Sequence, residues 1–351
     1  MKKIEVAILG ATGAVGQRFI QLLQDHPWFE VAELVGGSSA GSIYGEVVRW
    51  VLDDNPPANV MKMRVKALDS VLSSPIIFSA LPKEAATDCE LRLASAGHLV
   101  CTNASSHRMA PDVPLLLPEV NADHLRLLDV QRANRGWSGG IVANSNCTVM
   151  PVVMSLAPLL KYGVEKIHMV SEQAVSGAGY PGVASLDIID NIIPYVGGDE
   201  DKMETESLKM LGQLEGSGIT PLKASASATC TRVPVIDGHL VTISLAFRHT
   251  VSCEEIIEAW QSYETPELIR GLPSAPSRSI QYLEQNDRPQ PRRDRNAGRG
   301  MTTSIGRLRP CHVLGFKFVA LTHNTIRGAA GSSILNAELL RHAGYLDSFM
   351  S

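Results

Sequence analysis

Three short stretches hold residues that could carry out covalent or acid–base chemistry. In Ile141 to Met150 (IVANSNCTVM) an apolar β-branched run ends in the small polar turn Asn144-Ser145-Asn146. Cys147 follows, and Thr148-Val149-Met150-Pro151 opens a long apolar segment. A strand is therefore expected to hand over to a helix at the cysteine. A thiol placed there meets unpaired N–H groups and the positive end of the helix dipole, which favour the thiolate. A lone cysteine is also a common core residue, so its partners must decide its role.

A nucleophile of this kind needs an acid/base, a means of holding the substrate anion, and donors for an oxyanion. The second stretch, Ser171-Glu172-Gln173-Ala174-Val175-Ser176-Gly177-Ala178-Gly179, is a strand end that opens into a glycine-rich loop with the Gln173 amide at its edge. The third runs from Thr231 to His239 and reads as a Pro-containing strand, with Asp237-Gly238 marking a tight turn before His239. Arg232 could grip a carboxylate bidentately, and an imidazole titrates near neutral pH, so this stretch offers a substrate clamp and a proton shuttle. Asn103 and Arg108 lie in a loop after the expected strand His98 to Thr102, where open parallel sheets bind ligands, and are candidates for anion recognition.

These groups need elements to position them. Ile4 to Leu9 is a short apolar strand that runs into Gly10-Ala11-Thr12-Gly13-Ala14-Val15-Gly16 and then a helical pattern from Gln17 to Gln24. Strand, glycine loop and helix together open a dinucleotide-binding domain, in which the glycines let the backbone approach a pyrophosphate on the helix N-terminus. The next strand, Glu30 to Val35, ends in Gly36-Gly37-Ser38-Ser39, where a cofactor with a free ribose 2′-hydroxyl would usually meet a carboxylate. Small hydroxyls accept a 2′-phosphate, which favours NADP, and Glu33 inside the strand is poorly placed for the ribose. Strands at Pro75 to Ala80 and His98 to Thr102, with helices at Ala85 to Ala94 and Leu125 to Arg135, complete a doubly wound α/β domain.

Beyond Met150 longer alternating strands are expected at Ile167 to Gln173, Thr242 to Phe247 and Val313 to Ala320, which is an α+β pattern with a mixed or antiparallel sheet. The helix-period segment Gly328 to His342 is expected to return to the first domain. Residues 1–146 with a C-terminal helix at about 324–351 then form the cofactor domain, and 147–323 the catalytic one.

A chain of 351 residues exceeds one core, while 44% hydrophobic and 19% charged residues with a net charge of -4 recruit neither nucleic acid nor anionic membrane. The Arg-rich run Gln290-Pro291-Arg292-Arg293-Asp294-Arg295-Asn296 contains its own acid and reads as a solvated or intersubunit loop. Six cysteines without CxxC or Cys/His ligand spacing predict neither disulfides nor a metal site and suit a reducing cytoplasm. No apolar run reaches membrane-spanning length.

The ordered set GATGAVG, GGSSAG, SNCT, EQAVSGAGYPG, RVPVIDGH and NTIRGAAGSS resembles the aspartate-β-semialdehyde dehydrogenases, in particular their archaeal and fungal branch, from residue 4 to about 342. The resemblance implies a Rossmann-like NADP domain followed by an α+β catalytic and dimerisation domain, in a homodimer or dimer of dimers. It implies NADPH-dependent reduction of L-aspartyl 4-phosphate to aspartate semialdehyde through a thioester on Cys147, with His239 as acid/base and Gln173 orienting the acyl group. Arg232 would hold the α-carboxylate, and Arg108, Asn103 and Lys202 the phosphate, with Glu200 beside them. Cofactor contacts would fall on Gly10, Thr12, Gly13, Ala14, Val15, Gly16, Ser38, Ser39, Ser79, Ala80, Leu81, Ser176, Gly177 and Asn324.

The run Gly198-Asp199-Glu200-Asp201-Lys202 departs from the bacterial branch of that family. Two other readings remain in view. Malonyl-CoA reductase shares a GAGYPG loop and a segment like Ser185-Leu186-Asp187-Ile188-Ile189-Asp190-Asn191, and a dinucleotide-sensing protein without chemistry would leave Cys147 inert.

Overall fold

In the computed structural model, which describes residues 2–347, two sheets are built in succession. Met1 and residues 348–351, the outer ends of the expected cofactor domain, lie outside the described residues. The first sheet comes from β1 (Ile4–Leu9), α1 (Ala14–Leu23), β2 (Phe29–Val35), α2 (Tyr44–Val47), β3 (Val65–Lys66), β4 (Ile76–Ser79), α3 (Lys83–Ser95), β5 (Leu99–Thr102), β6 (Leu115–Leu116), α4 (Pro118–Asn121), α5 (Leu127–Arg135) and β7 (Gly140–Asn144).

All its pairings are parallel, in the order β3-β2-β1-β4-β5-β7-β6. Its central strands are buried on both faces, as their unbroken apolar runs require. Strand order reverses between β1 and β4, and the crevice at such a switch point is where an open α/β sheet takes its ligand. The two loops leaving these strands touch: a Cβ at Gly10 would lie 2.7 Å from the Ala80 carbonyl oxygen. A Cβ at Gly16 would lie 2.3 Å from the Gly10 oxygen, so only glycine lets α1 pack this close to the loop.

The second part comprises α6 (Val149–Leu156), β8 (Val164–Gln173), α7 (Ser185–Ile188), α8 (Asp199–Met210), β9 (Gln213–Glu215), β10 (Gly218–Thr220), β11 (Ser225–Arg232), β12 (His239–Phe247), α9 (Cys253–Gln261), β13 (Ile280–Leu283), α10 (Pro291–Asp294), β14 (Thr303–Cys311) and β15 (Gly315–Thr322). Six strands pair in the order β11-β8-β12-β15-β14-β13 as a mixed sheet, while β9 and β10 form a separate hairpin.

Helix α6 is buried all round, and its apolar side chains join those of both sheets in one continuous core. The last helix, α11 (Gly331–His342), returns to pack against α1 and the strands of the first sheet. Arg327, just before it, is fully buried on Glu119 at 2.8 Å. Among the described residues no helix is long and apolar enough to cross a membrane.

Two expectations need correction. Val313 is not in a strand: it is an exposed residue at the tip of the turn between β14 and β15. The stretch around Pro234 is also not a strand. β11 stops at Arg232, because proline has no N–H for a sheet ladder, and residues 233–238 form a loop. That loop still offers its carbonyls, since Val235 and Ile236 accept from the N–H groups of Val175 and Ser176.

Candidate active site

Cys147 sits between β7 and α6, half-buried and three residues past the end of the strand. Its Sγ lies 3.1 Å from Nε2 of His239, the fully buried first residue of β12. The Ala174 N–H donates to the other ring nitrogen, Nδ1, at 3.0 Å. A backbone amide always carries its hydrogen, so this contact assigns the neutral ring proton to Nε2, facing the sulfur. The Ala174 carbonyl in turn accepts from Arg232 Nη1 at 2.8 Å. Gly177 closes over this group: a Cβ there would lie 2.8 Å from Arg232 Nη1 and about 3 Å from the His239 ring. The returning C-terminal segment seals the back of the cysteine, because a Cβ on Gly328 would meet Cys147 Cβ at 2.5 Å.

A second group hangs from α8. Asp199 accepts from Gln173 Nε2 at 3.1 Å, Asn146 Nδ2 at 3.0 Å and Lys202 Nζ at 2.8 Å. Glu206 accepts the Asn146 backbone N–H at 2.7 Å and pairs with Arg108 at 3.0 Å, and Arg108 also donates to the Asn103 carbonyl at 2.6 Å. Lys209 caps the loop after Arg108, donating to the carbonyls of Arg108, Ala110 and Val113. One helix face thus ties Gln173, the residue before Cys147, and the Arg108 loop together.

Burial pushes the Cys147 thiol up to about 12, helped by the nearby Asp199 carboxylate and opposed by Arg108 and Arg232. Burial and Asp199 thus act against the thiolate that the helix end favours. Burial, then Arg232 and His323, pull His239 down to about 3. The resting pair is a thiol beside a neutral imidazole whose Nε2–H stands ready to donate to a negative sulfur or oxygen.

The structure therefore brings Cys147, His239, Gln173, Arg232, Arg108, Asn103 and Lys202 into one connected network. Glu200 is not part of it, because it turns toward β11 and accepts the Cys230 N–H at 3.0 Å. On a helix, a neighbour in sequence points to a different side, and Asp199 takes the place expected for Glu200. Asp199 and Glu206 were missed by sequence reasoning, although the spacing of Asp199, Lys202, Glu206 and Lys209 is that of one helix face.

The cofactor candidates lie at the carboxyl ends of β1, β2 and β4 and in the segments that follow β8 and β15. Gly10, Thr12, Gly13, Ala14, Val15 and Gly16 form the loop and first turn of α1, and Gln17 holds the Thr12 carbonyl at 2.9 Å. Ser79 ends β4, and Ala80 and Leu81 follow it beside Gly10. Ser38 and Ser39 lie in the turn after β2. Glu33 faces away, accepting from Lys66 at 2.6 Å and the Ser74 N–H at 2.8 Å, so no carboxylate stands at that strand end to repel a 2′-phosphate. Asn324 donates to Ser176 Oγ at 2.8 Å and accepts the Gly238 N–H at 2.8 Å.

Residues 5–128 match the family model of the semialdehyde dehydrogenase NAD-binding domain, and residues 156–327 that of the semialdehyde dehydrogenase dimerisation domain. The chain is 47% identical over 340 residues to the aspartate-semialdehyde dehydrogenase of Archaeoglobus fulgidus, spanning 96% of this chain and 98% of that one. It belongs to the aspartate-semialdehyde dehydrogenase family. The Saccharomyces cerevisiae member is 43% identical over 357 residues, covering 97% of this chain and 98% of its own. The crystal structure of the Candida albicans family member with NADP superposes with a TM-score of 0.89 at 38% identity, covering 98% of this chain and 100% of that one.

Proposed function

We propose that this protein catalyses the NADPH-dependent reductive dephosphorylation of L-aspartyl 4-phosphate to L-aspartate 4-semialdehyde. The observation that carries the reading is the 3.1 Å contact between Cys147 Sγ and His239 Nε2, with Arg232 and Arg108 both near enough to act on the sulfur. The substrate has two anions, and the site has two cationic groups to receive them.

In this reading Arg232 grips the α-carboxylate, while Arg108, Asn103 and Lys202 receive the phosphate. Sγ attacks the acyl carbon; the C–S bond forms, the C–O bond to phosphorus breaks, and the thiol proton leaves on the departing phosphate. Gln173, braced by Asp199, orients the resulting thioester. The cofactor, when bound, supplies the hydride that brings the acyl carbon to the aldehyde level. His239 Nε2–H stabilises the oxygen on which charge develops, and the C–S bond then breaks to return the sulfur. Gly10 to Gly16 would hold the pyrophosphate, Ser38 and Ser39 the 2′-phosphate, and Ser79 to Leu81, Ser176, Gly177 and Asn324 the nicotinamide half.

The functional units are residues 1–146 with 324–351 for the cofactor and 147–323 for catalysis. The second unit would pair two copies as a homodimer or dimer of dimers. The six unpaired cysteines fit a reducing cytoplasm. An assay of NADPH formation from aspartate semialdehyde, phosphate and NADP tests the reaction, with malonyl-CoA plus NADPH as the rival arm. Turnover in the first alone supports the proposal. Turnover confined to malonyl-CoA, or NADPH binding without any turnover, would overturn it.

A further inference from the structure

The Arg-rich run between β13 and β14 is not a uniformly solvated loop. Arg292 and Arg293 of α10 are exposed, while Asp294 is buried and folds the segment on itself, accepting from Arg288 Nε and the Gln290 N–H at 2.7 Å each. The next residue, Arg295, points the other way. It is half-buried, and its Nη1 donates to the Asp237 carbonyl at 3.0 Å.

That carbonyl and the Gly238 N–H belong to one peptide unit, whose N–H end is held by Asn324 Oδ1 at 2.8 Å. The plane between residues 237 and 238 is thus fixed at both ends immediately before His239. It needs fixing, because Gly238 has φ +102 and no side chain of its own to resist rotation. A Cβ at Gly238 would lie 3.1 Å from Pro291 Cβ and 3.2 Å from Arg295 Cβ, so the Arg-rich segment packs directly on the turn.

On the strength of the proposed reaction, we propose that Arg295 is a positioning residue: by pinning the Asp237–Gly238 peptide it holds the His239 ring at Cys147. Arg295 also lines a cavity of about 150 Å³ with Ala14, Arg18, Ser176 and Asp237, so the test must separate positioning from cofactor binding.

Arg295→Met keeps most of the apolar stem and removes the donor, whereas Arg295→Lys restores one. With a positioning role, Arg295→Met lowers kcat about tenfold while KM for semialdehyde, phosphate and NADP stays within about twofold of the parent. Arg295→Lys recovers kcat to within about threefold, and Arg292→Ala and Arg293→Ala match the parent. Gly238→Ala, which disturbs the same turn while keeping Arg295, lowers kcat in the same way and carries the test if the methionine variant does not fold. Parental kcat in Arg295→Met, or an effect confined to the KM for NADP, would overturn the proposal. A parent without turnover would instead sink the reaction itself, so the two failures are distinct.

Discussion

The sulfur of Cys147 is held between opposing influences: burial and Asp199 keep it protonated, while Arg108, Arg232 and the Nε2–H of His239 favour its anion. Asp199 is the anion that a single substitution can remove without changing the shape of the site. In Asp199→Asn the thiol's affinity for its proton falls, the thiolate fraction at a given pH rises, and iodoacetamide labels Cys147 faster than in the parent at pH 8. Turnover falls in the same variant, because Lys202 and Gln173 lose their charged partner. Slower or unchanged labelling would show that Asp199 does not act on the sulfur. Arg232 offers a second residue-scale test. A lysine in its place is a point charge that cannot reproduce the planar fork, so Arg232→Lys raises the semialdehyde KM by about tenfold or more with a smaller change in kcat. An unchanged KM would take Arg232 out of the carboxylate role.

Helix α8 is the element that joins these residues, with Asp199, Lys202, Glu206 and Lys209 on its inward side. Glu206 is almost fully buried between Arg108 and the Asn146 N–H. Removing one partner of a buried ion pair leaves the other charge uncompensated, so Glu206→Ala lowers stability by roughly 3–5 kcal/mol in denaturant unfolding. A loss below about 1 kcal/mol, the range of a solvated surface pair, would contradict this place for the helix.

This element was also the least legible in the sequence. Several of its inward positions are charged and only Met203 and Met210 among them are apolar core residues, which leaves a weak hydrophobic period for a helix that is nonetheless tightly packed. β11, SASATCTR, was hidden for a related reason, since small polar residues alternate too weakly to mark a strand. By contrast, the glycine loop, the turn at Cys147 and the Asp237-Gly238 turn were readable, because each rests on local backbone needs that few residue types meet. Arg295 could not be told from Arg292 and Arg293, because only the tertiary path of α10 decides which of the three turns inward.

At the scale of the molecule, a parallel sheet presents the Gly10 to Gly16 loop and a mixed sheet presents His239, Arg232 and the α8 network, with Cys147 at the joint between them. The mixed sheet also carries a carboxyl held toward its neutral form. Burial raises the Glu172 carboxyl to about 7, opposed by its own backbone and by Thr242. The folded state then holds a proton that the unfolded chain has released. This contribution to stability is fully present below the ordinary carboxyl value and is lost as pH rises through about 7. Thermal midpoints measured from pH 5 to 8 should fall less in Glu172→Gln than in the parent. Parallel profiles for the two proteins would contradict that reading.

The proposed chemistry depends on Cys147 taking the acyl group from its phosphate. Mixing the protein with aspartyl phosphate in the absence of NADPH, quenching in acid and mapping the peptides by mass spectrometry tests this directly. An aspartyl adduct is expected on the peptide bearing Cys147, absent in Cys147→Ala and discharged when NADPH is added before the quench. NADPH-dependent turnover with no adduct there, or with the adduct on another residue, would contradict it.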